Sequence, residues 1–266
     1  MSDWRSYDSV AEAYERVAAP RFEIIARHLL SLAAPKPGAR LLDLGTGTGA
    51  VPAAAAETRS HPQTVVGCDL SAAMLGRARR LAPRLLAVRA DVNRLPFASG
   101  AFDVTTANCV LSHVSDHRAV LRELGRVLAR PGSFASSSWE TVSDPYTTLW
   151  RELLEAVVGA GAVQRAADAV APLEGHFSSE SNVRAALVEA GFKSVRVEIV
   201  ALSFSHSVDE YVADRALGSS GRLGRDLLGA DGWNGFLATA EAAFRERFGA
   251  TVSYDRRLVL AVGTLG

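Results

Sequence analysis

The residues best able to do chemistry stand together in Asp43-Leu44-Gly45-Thr46-Gly47-Thr48-Gly49. Three alternating glycines directly after an apolar run let the backbone turn sharply. They also let it approach a ligand at the positive end of the following helix. Gly45, Gly47 and Ala50 satisfy the G-x-G-x-x-G/A pattern of dinucleotide sites, with Asp69 about 20 residues further on. On that motif alone the ligand stays open. Asp43 weighs against a dinucleotide, because a carboxylate at the strand end repels a pyrophosphate and can pair with a cationic group. S-adenosylmethionine offers an ammonium and a sulfonium and no phosphate.

These residues need elements to hold them. Apolar runs at 40–44, 64–68, 85–90, 102–108 and 133–139 read as strands, alternating with helical patterns at 50–58, 72–81 and 119–128. Ser71 and Asp116 stand as N-caps. A helical stretch at 10–32 contains Pro20, which splits it. Near-continuous apolar strands are buried on both faces, and right-handed crossovers between them give a doubly wound sheet. Beyond Trp139 the spacing predicts helix over 147–158, loop over 159–177 and helix over 179–190. A strand follows at 194–202, then helix over 208–248 broken by Gly218, Gly221, Gly229 and Gly232, then a strand at 251–260. The expected fold is α/β: a Rossmann-like, doubly wound, mostly parallel seven-stranded sheet with helical lid insertions. One domain spans 1–266, with an N-terminal helical cover (1–34), a cofactor-binding half (35–143) and two lid segments (144–177 and 208–248). Both segments follow strand ends, where ligand crevices lie in such sheets. Their aromatic residues Tyr146, Trp150, Phe177, Tyr211, Trp233 and Phe236 are expected in part to line an apolar cavity.

Five stretches occur in order: 41–49, Gly67-Cys68-Asp69-Leu70-Ser71, Arg89-Ala90-Asp91-Val92, Leu95-Pro96-Phe97 before Phe102-Asp103, and 107–116. In order and spacing they resemble the class I S-adenosylmethionine-dependent methyltransferases, most closely the small-molecule subgroup related to ubiquinone/menaquinone methyltransferases. The resemblance implies S-adenosylmethionine as cofactor, held by Asp43, Gly45, Thr46 and Gly47. It implies that Asp69 accepts both ribose hydroxyls beside Leu70, and that Met74 packs on adenine. Asp91 would accept from the adenine amino group, Val92 would offer its backbone, and backbone near Asn108 would meet the methionine moiety. Tyr7 or Tyr14, in the N-terminal helix, would fold over the cofactor. Ser133 departs from the pattern, standing where a second glycine is common.

A general base is needed only where the nucleophile must lose a proton. His113, just beyond the fourth strand, is the catalytic candidate, with His176 and His206 as substrate-side alternatives; His28, His61 and His117 read as surface residues. Lys+Arg and Asp+Glu are each 29, and this zero balance argues against nucleic-acid and membrane-surface partners. Two cysteines outside any Cys/His cluster predict no metal site and reduced thiols. No apolar run approaches the ~18 residues of a membrane span. The expectation is a cytoplasmic monomer or homodimer that methylates a small or medium organic molecule in secondary metabolism, on oxygen before carbon. A cofactor-retaining cyclase or isomerase is the alternative. A nicotinamide-dependent oxidoreductase ranks below it, because Asp43 and Asp91 disfavour one.

Overall fold

The computed structural model describes residues 4–58 and 62–266, so the reading of His61 lies outside the described residues. Its centre is a sheet of seven strands in the order β3-β2-β1-β4-β5-β7-β6. The strands are β1 (Arg40–Leu44), β2 (Thr64–Asp69), β3 (Leu86–Arg89), β4 (Phe102–Asn108), β5 (Leu128–Trp139), β6 (Lys193–Ser207) and β7 (Thr251–Leu265). Strands β1 to β5 run parallel, while β7 lies antiparallel between β5 and β6. The order reverses between β1 and its neighbours β2 and β4, the point at which such sheets open a crevice.

Side-chain alternation explains the near-continuous apolar strands. Leu42, Leu44, Val66 and Phe134 pack to one side against α5 (His117–Val127) and α9 (Glu180–Glu189). Leu41, Val104, Ala135 and Leu258 pack to the other, against α2 (Ala19–Ala33) and α3 (Ala50–Glu57). Both faces are thus covered. The N-terminal helix divides at Ala18 rather than Pro20: α1 (Ala11–Val17) ends there, and Pro20 sits in the first turn of α2, where its missing N–H costs nothing. Ser71 caps α4 (Ala72–Leu81), its hydroxyl accepting from Met74 N at 3.0 Å. Asp116 does the same for Ala119 N, also at 3.0 Å.

Three expectations are corrected. The stretch 159–177 is not loop but α7 (Ala162–Val170) and α8 (Glu174–Phe177). Gly161, at φ +72°, starts the first of these helices instead of interrupting one. Strands β6 and β7 continue to Ser207 and Leu265, as β6–β7 pairing runs the whole way from Lys193↔Thr264 to Ser207↔Thr251. In 208–248 the chain breaks at Gly218 and turns non-helical at Gly229, giving α10 (Val208–Leu217) and α11 (Ser219–Phe248), while Gly221 and Gly232 stay helical. Gly221 is required because a Cβ there would lie 2.5 Å from Ala216 O.

Segments 144–177 and 208–248 share one core. Trp150 and Leu154 of α6 (Pro145–Val158) pack with Tyr211 of α10 and with Trp233, Phe236 and Phe244 of α11. Trp150, Trp233 and Phe236 pack on one another inside this core.

Candidate functional site

The glycine turn sits where β1 ends between β2 and β4. Asp43, opposite Gly67 and Thr106, is only 1% exposed. The Thr106 hydroxyl donates to its Oδ1 at 2.8 Å. Burial pushes the Asp43 carboxyl up to about 7, against the hydroxyls of Thr106 and Thr46, which favour the charged form. Gly45, Gly47 and Gly49 all take positive φ. At Gly49 a Cβ would meet the α4 backbone at Ala78 Cα, 3.0 Å away, so this glycine allows α3 and α4 to pack. At Gly47 the nearest atom to a Cβ is Gly45 O at 3.9 Å, so the turn faces open space there.

Asp69, the last residue of β2, pins that turn. Its Oδ2 accepts from Gly47 N at 2.9 Å and its Oδ1 from Ser71 N at 2.8 Å. Burial raises its pKa, and these backbone donors lower it. A carboxylate oxygen has two acceptor directions, so each oxygen keeps one for a further donor. Leu70 beside it is 61% exposed, whereas Met74, on the inward face of α4, is 3% exposed. The wider apolar surface next to Asp69 therefore belongs to Leu70. Asp91 follows β3; its Oδ1 accepts from the backbone and side chain of Asn93 at 2.9 and 2.8 Å, and Val92 leans on the core. Arg89 closes the rim by donating to Leu70 O at 2.9 Å. Asn108 ends β4 with its amide donating to Phe22 O at 3.3 Å and accepting from the Ser137 hydroxyl at 2.8 Å.

His113 lies in a one-turn 3-10 helix, Leu111–His113. Its Nδ1 is 3.0 Å from Val170 O, a carbonyl that can only accept, so Nε2 is left as the acceptor nitrogen. The ring is open to solvent, yet crowded by protein on its other sides. Burial lowers its pKa, as does Arg222, which keeps the imidazole neutral at pH 7. Tyr7 meets it edge-on at 6.3 Å, and Tyr14 bridges Tyr7 to Phe22. Asp8 ties this N-terminal cover to α4 by accepting from Ser71 Oγ and Ala73 N. His176 does not join His113; it stacks on His117 at 4.9 Å and abuts Phe177. His206 stacks on Phe204 in β6. His28 and His117 are half-buried, each reaching the surface in part.

Two groups at the crevice were not signalled by local sequence. Arg21 of α2 and Arg215 of α10 both bond Asp214, across 193 residues in the first case. Glu174, on the short α8, has its carboxyl raised by burial, with Arg215 and Arg256 pulling it down. Among the described residues no group of His, Cys, Asp and Glu converges as a metal site, and no helix is long and apolar enough to cross a membrane.

Comparison with known proteins bears on this geometry. A methyltransferase domain family matches residues 42–136. The chain is 34% identical over 180 residues to a demethylmenaquinone methyltransferase of Beutenbergia cavernae, covering 64% of this chain and 72% of that protein. It is 33% identical over 209 residues to the nocamycin O-methyltransferase of Saccharothrix syringae, covering 71% and 72%. Among solved structures, the Haemonchus contortus phosphoethanolamine N-methyltransferase 2 in complex with S-adenosyl-L-methionine superposes with a TM-score of 0.57. That match covers 99% of this chain and 60% of that one, at 17% identity, a likeness of fold.

Proposed function

The chain belongs to the class I S-adenosylmethionine-dependent methyltransferases that act on small molecules, and from that premise we propose that it methylates an oxygen atom of an organic acceptor in secondary metabolism. The observation that carries the site assignment is the pair Asp43 and Asp69 flanking the open space at Gly47. Neither carboxylate has an ion-pair partner among the described residues, which suits a cationic ligand without phosphate. Asp43 and the 45–47 turn would hold the charged amino-acid end, Asp69 and Leu70 the ribose side, Met74, Asp91 and Val92 the base, and Asn108 the methionine backbone.

S-adenosylmethionine held there would supply an electrophilic methyl carbon on a neutral thioether leaving group. What the chain adds is position, dryness and proton handling. His113, neutral and with Nε2 free to accept, takes the proton of an acceptor hydroxyl. The roof of α6, α7, α10 and α11 covers the acceptor and sets its choice. We place the enzyme in the cytoplasm, as a monomer or homodimer without a nucleic-acid partner.

The atom methylated is read directly by labelling. With S-adenosylmethionine carrying a 13C methyl group and a panel of phenols, carboxylic acids and 1,3-dicarbonyls, the product methyl should show the carbon shift of an O–CH3. A C–CH3 shift would overturn the oxygen assignment and leave the cofactor assignment standing. Hydrogen exchange reports on the roof: 144–177 and 208–248 should exchange faster than β1 and β4 and slow down when ligand binds. Exchange as slow as in the central strands, unchanged by ligand, would make the roof a fixed part of the scaffold.

A further inference from the structure

We propose that the acceptor carries a carboxylate on an apolar body, and that Arg21 and Arg215 receive it. The inference rests on the crevice being the acceptor site. Its charge argument is independent of that reading.

Arg21 Nη1 and Arg215 Nη2 both donate to the same oxygen, Asp214 Oδ2, at 3.0 and 2.9 Å. Two guanidinium groups thus share one carboxylate, leaving an excess positive charge. The side chains are only 17% and 28% exposed. The Nε of each is buried without a partner, so each arginine spends one of its five N–H groups on protein. The Tyr211 hydroxyl, whose ring lies 5.5 Å from the Arg215 guanidinium, is also buried and unpartnered. A mostly buried charge in surplus is costly until a counter-charge arrives.

Neighbouring groups do not supply that counter-charge. Arg256 is already balanced by Asp144 at 2.9 Å. Glu174 lies within the field of Arg215 and Arg256 but makes no ion pair with either, and it stands open to solvent. The surplus also lies in the right place. The Arg21 guanidinium lies over the ring of Phe22, the residue that stacks on Tyr14 of the cover and whose carbonyl accepts from the Asn108 amide at 3.3 Å. The planar fork of a guanidinium matches a carboxylate, and the surrounding Tyr211, Tyr254 and Phe204 rings suit an apolar body.

The test is calorimetric, with 2-naphthoate and its neutral counterpart 2-naphthamide titrated into protein saturated with S-adenosylhomocysteine. Wild type should bind the acid about tenfold more tightly than the amide at low salt. Arg21→Met and Arg215→Met should each remove most of that preference while leaving S-adenosylhomocysteine affinity within about twofold. In each variant Asp214 keeps one guanidinium partner, so its charge stays paired. Equal affinity of wild type for the two probes, no binding of the acid at millimolar concentration, or a preference that survives both substitutions would overturn the inference. Should a variant not fold, the wild-type ratio alone decides. Failure to bind S-adenosylhomocysteine at all would instead strike at the cofactor assignment.

Discussion

Asp69→Ala is expected to weaken S-adenosylmethionine binding by roughly a hundredfold while the protein stays folded. The carboxylate has one free acceptor direction on each oxygen, enough for the two ribose hydroxyls. A hydrogen bond to a charged group contributes about 1.5–3 kcal/mol, so losing two removes about 3 kcal/mol at the low end. The substitution also frees Gly47 N and Ser71 N, loosening the turn that faces the ligand. The core clusters on either side of the sheet do not include Asp69, so the thermal midpoint should fall only modestly. Asp69→Asn should lose less, because its amide oxygen can keep one of the two bonds. An unchanged dissociation constant in Asp69→Ala would contradict the assignment.

Cofactor affinity should also rise steeply with pH, and Asp43 is the reason. Its carboxyl is pushed up to about 7 by burial, from 3.8 in an open chain. The folded protein therefore binds more protons than the unfolded chain between these values. The Asp43 contribution to unliganded stability is full below about 3.8 and is lost as pH rises through about 7. A cationic ligand group reverses the preference, since it pairs only with the ionised carboxylate. Binding then expels a proton, and affinity should climb by up to about tenfold per pH unit below about 7 and level off above it. Asp43→Asn should flatten the profile, bind weakly at every pH and lose the decline in unliganded stability. Titrations across the range, in buffers of different ionisation enthalpy, count the proton released. A slope equal in wild type and Asp43→Asn would remove Asp43 from the cofactor site.

Legibility in the sequence followed locality. Strands β1, β2 and β4 were readable because apolar runs end at Asp43, Asp69 and Asn108, where polar residues reach the sheet edge. The caps at Ser71 and Asp116 were readable because a hydroxyl or carboxylate beside a helix start has one local use. The stretch containing α7 and α8 was not, because Gly159, Gly161 and Pro172 signal helix ends and helix starts alike. The end of β6 was hidden by Ser203, Ser205 and Ser207, and the end of β7 by Gly263 and Thr264, residues that do not mark a strand. On the exposed face of the β6–β7 arm Ser203 bonds Asp255 and Ser205 bonds Ser253, while Phe204, Val252 and Tyr254 face inward. At the candidate site, the carboxylates Asp43 and Asp69 were legible because they stand at strand ends in sequence. The Arg21–Asp214–Arg215 cluster was not, because only the docking of α10 on the N-terminal helices brings it together.

The claim on which all else depends is that the crevice at the ends of β1, β2 and β4 receives S-adenosylmethionine. Calorimetric titration of the intact protein with S-adenosylhomocysteine, and in parallel with NAD, tests it most directly. The account predicts one saturable site per chain for S-adenosylhomocysteine, weakened roughly a hundredfold in Asp69→Ala, and no heat with NAD. Saturable binding of NAD with none of S-adenosylhomocysteine would contradict it.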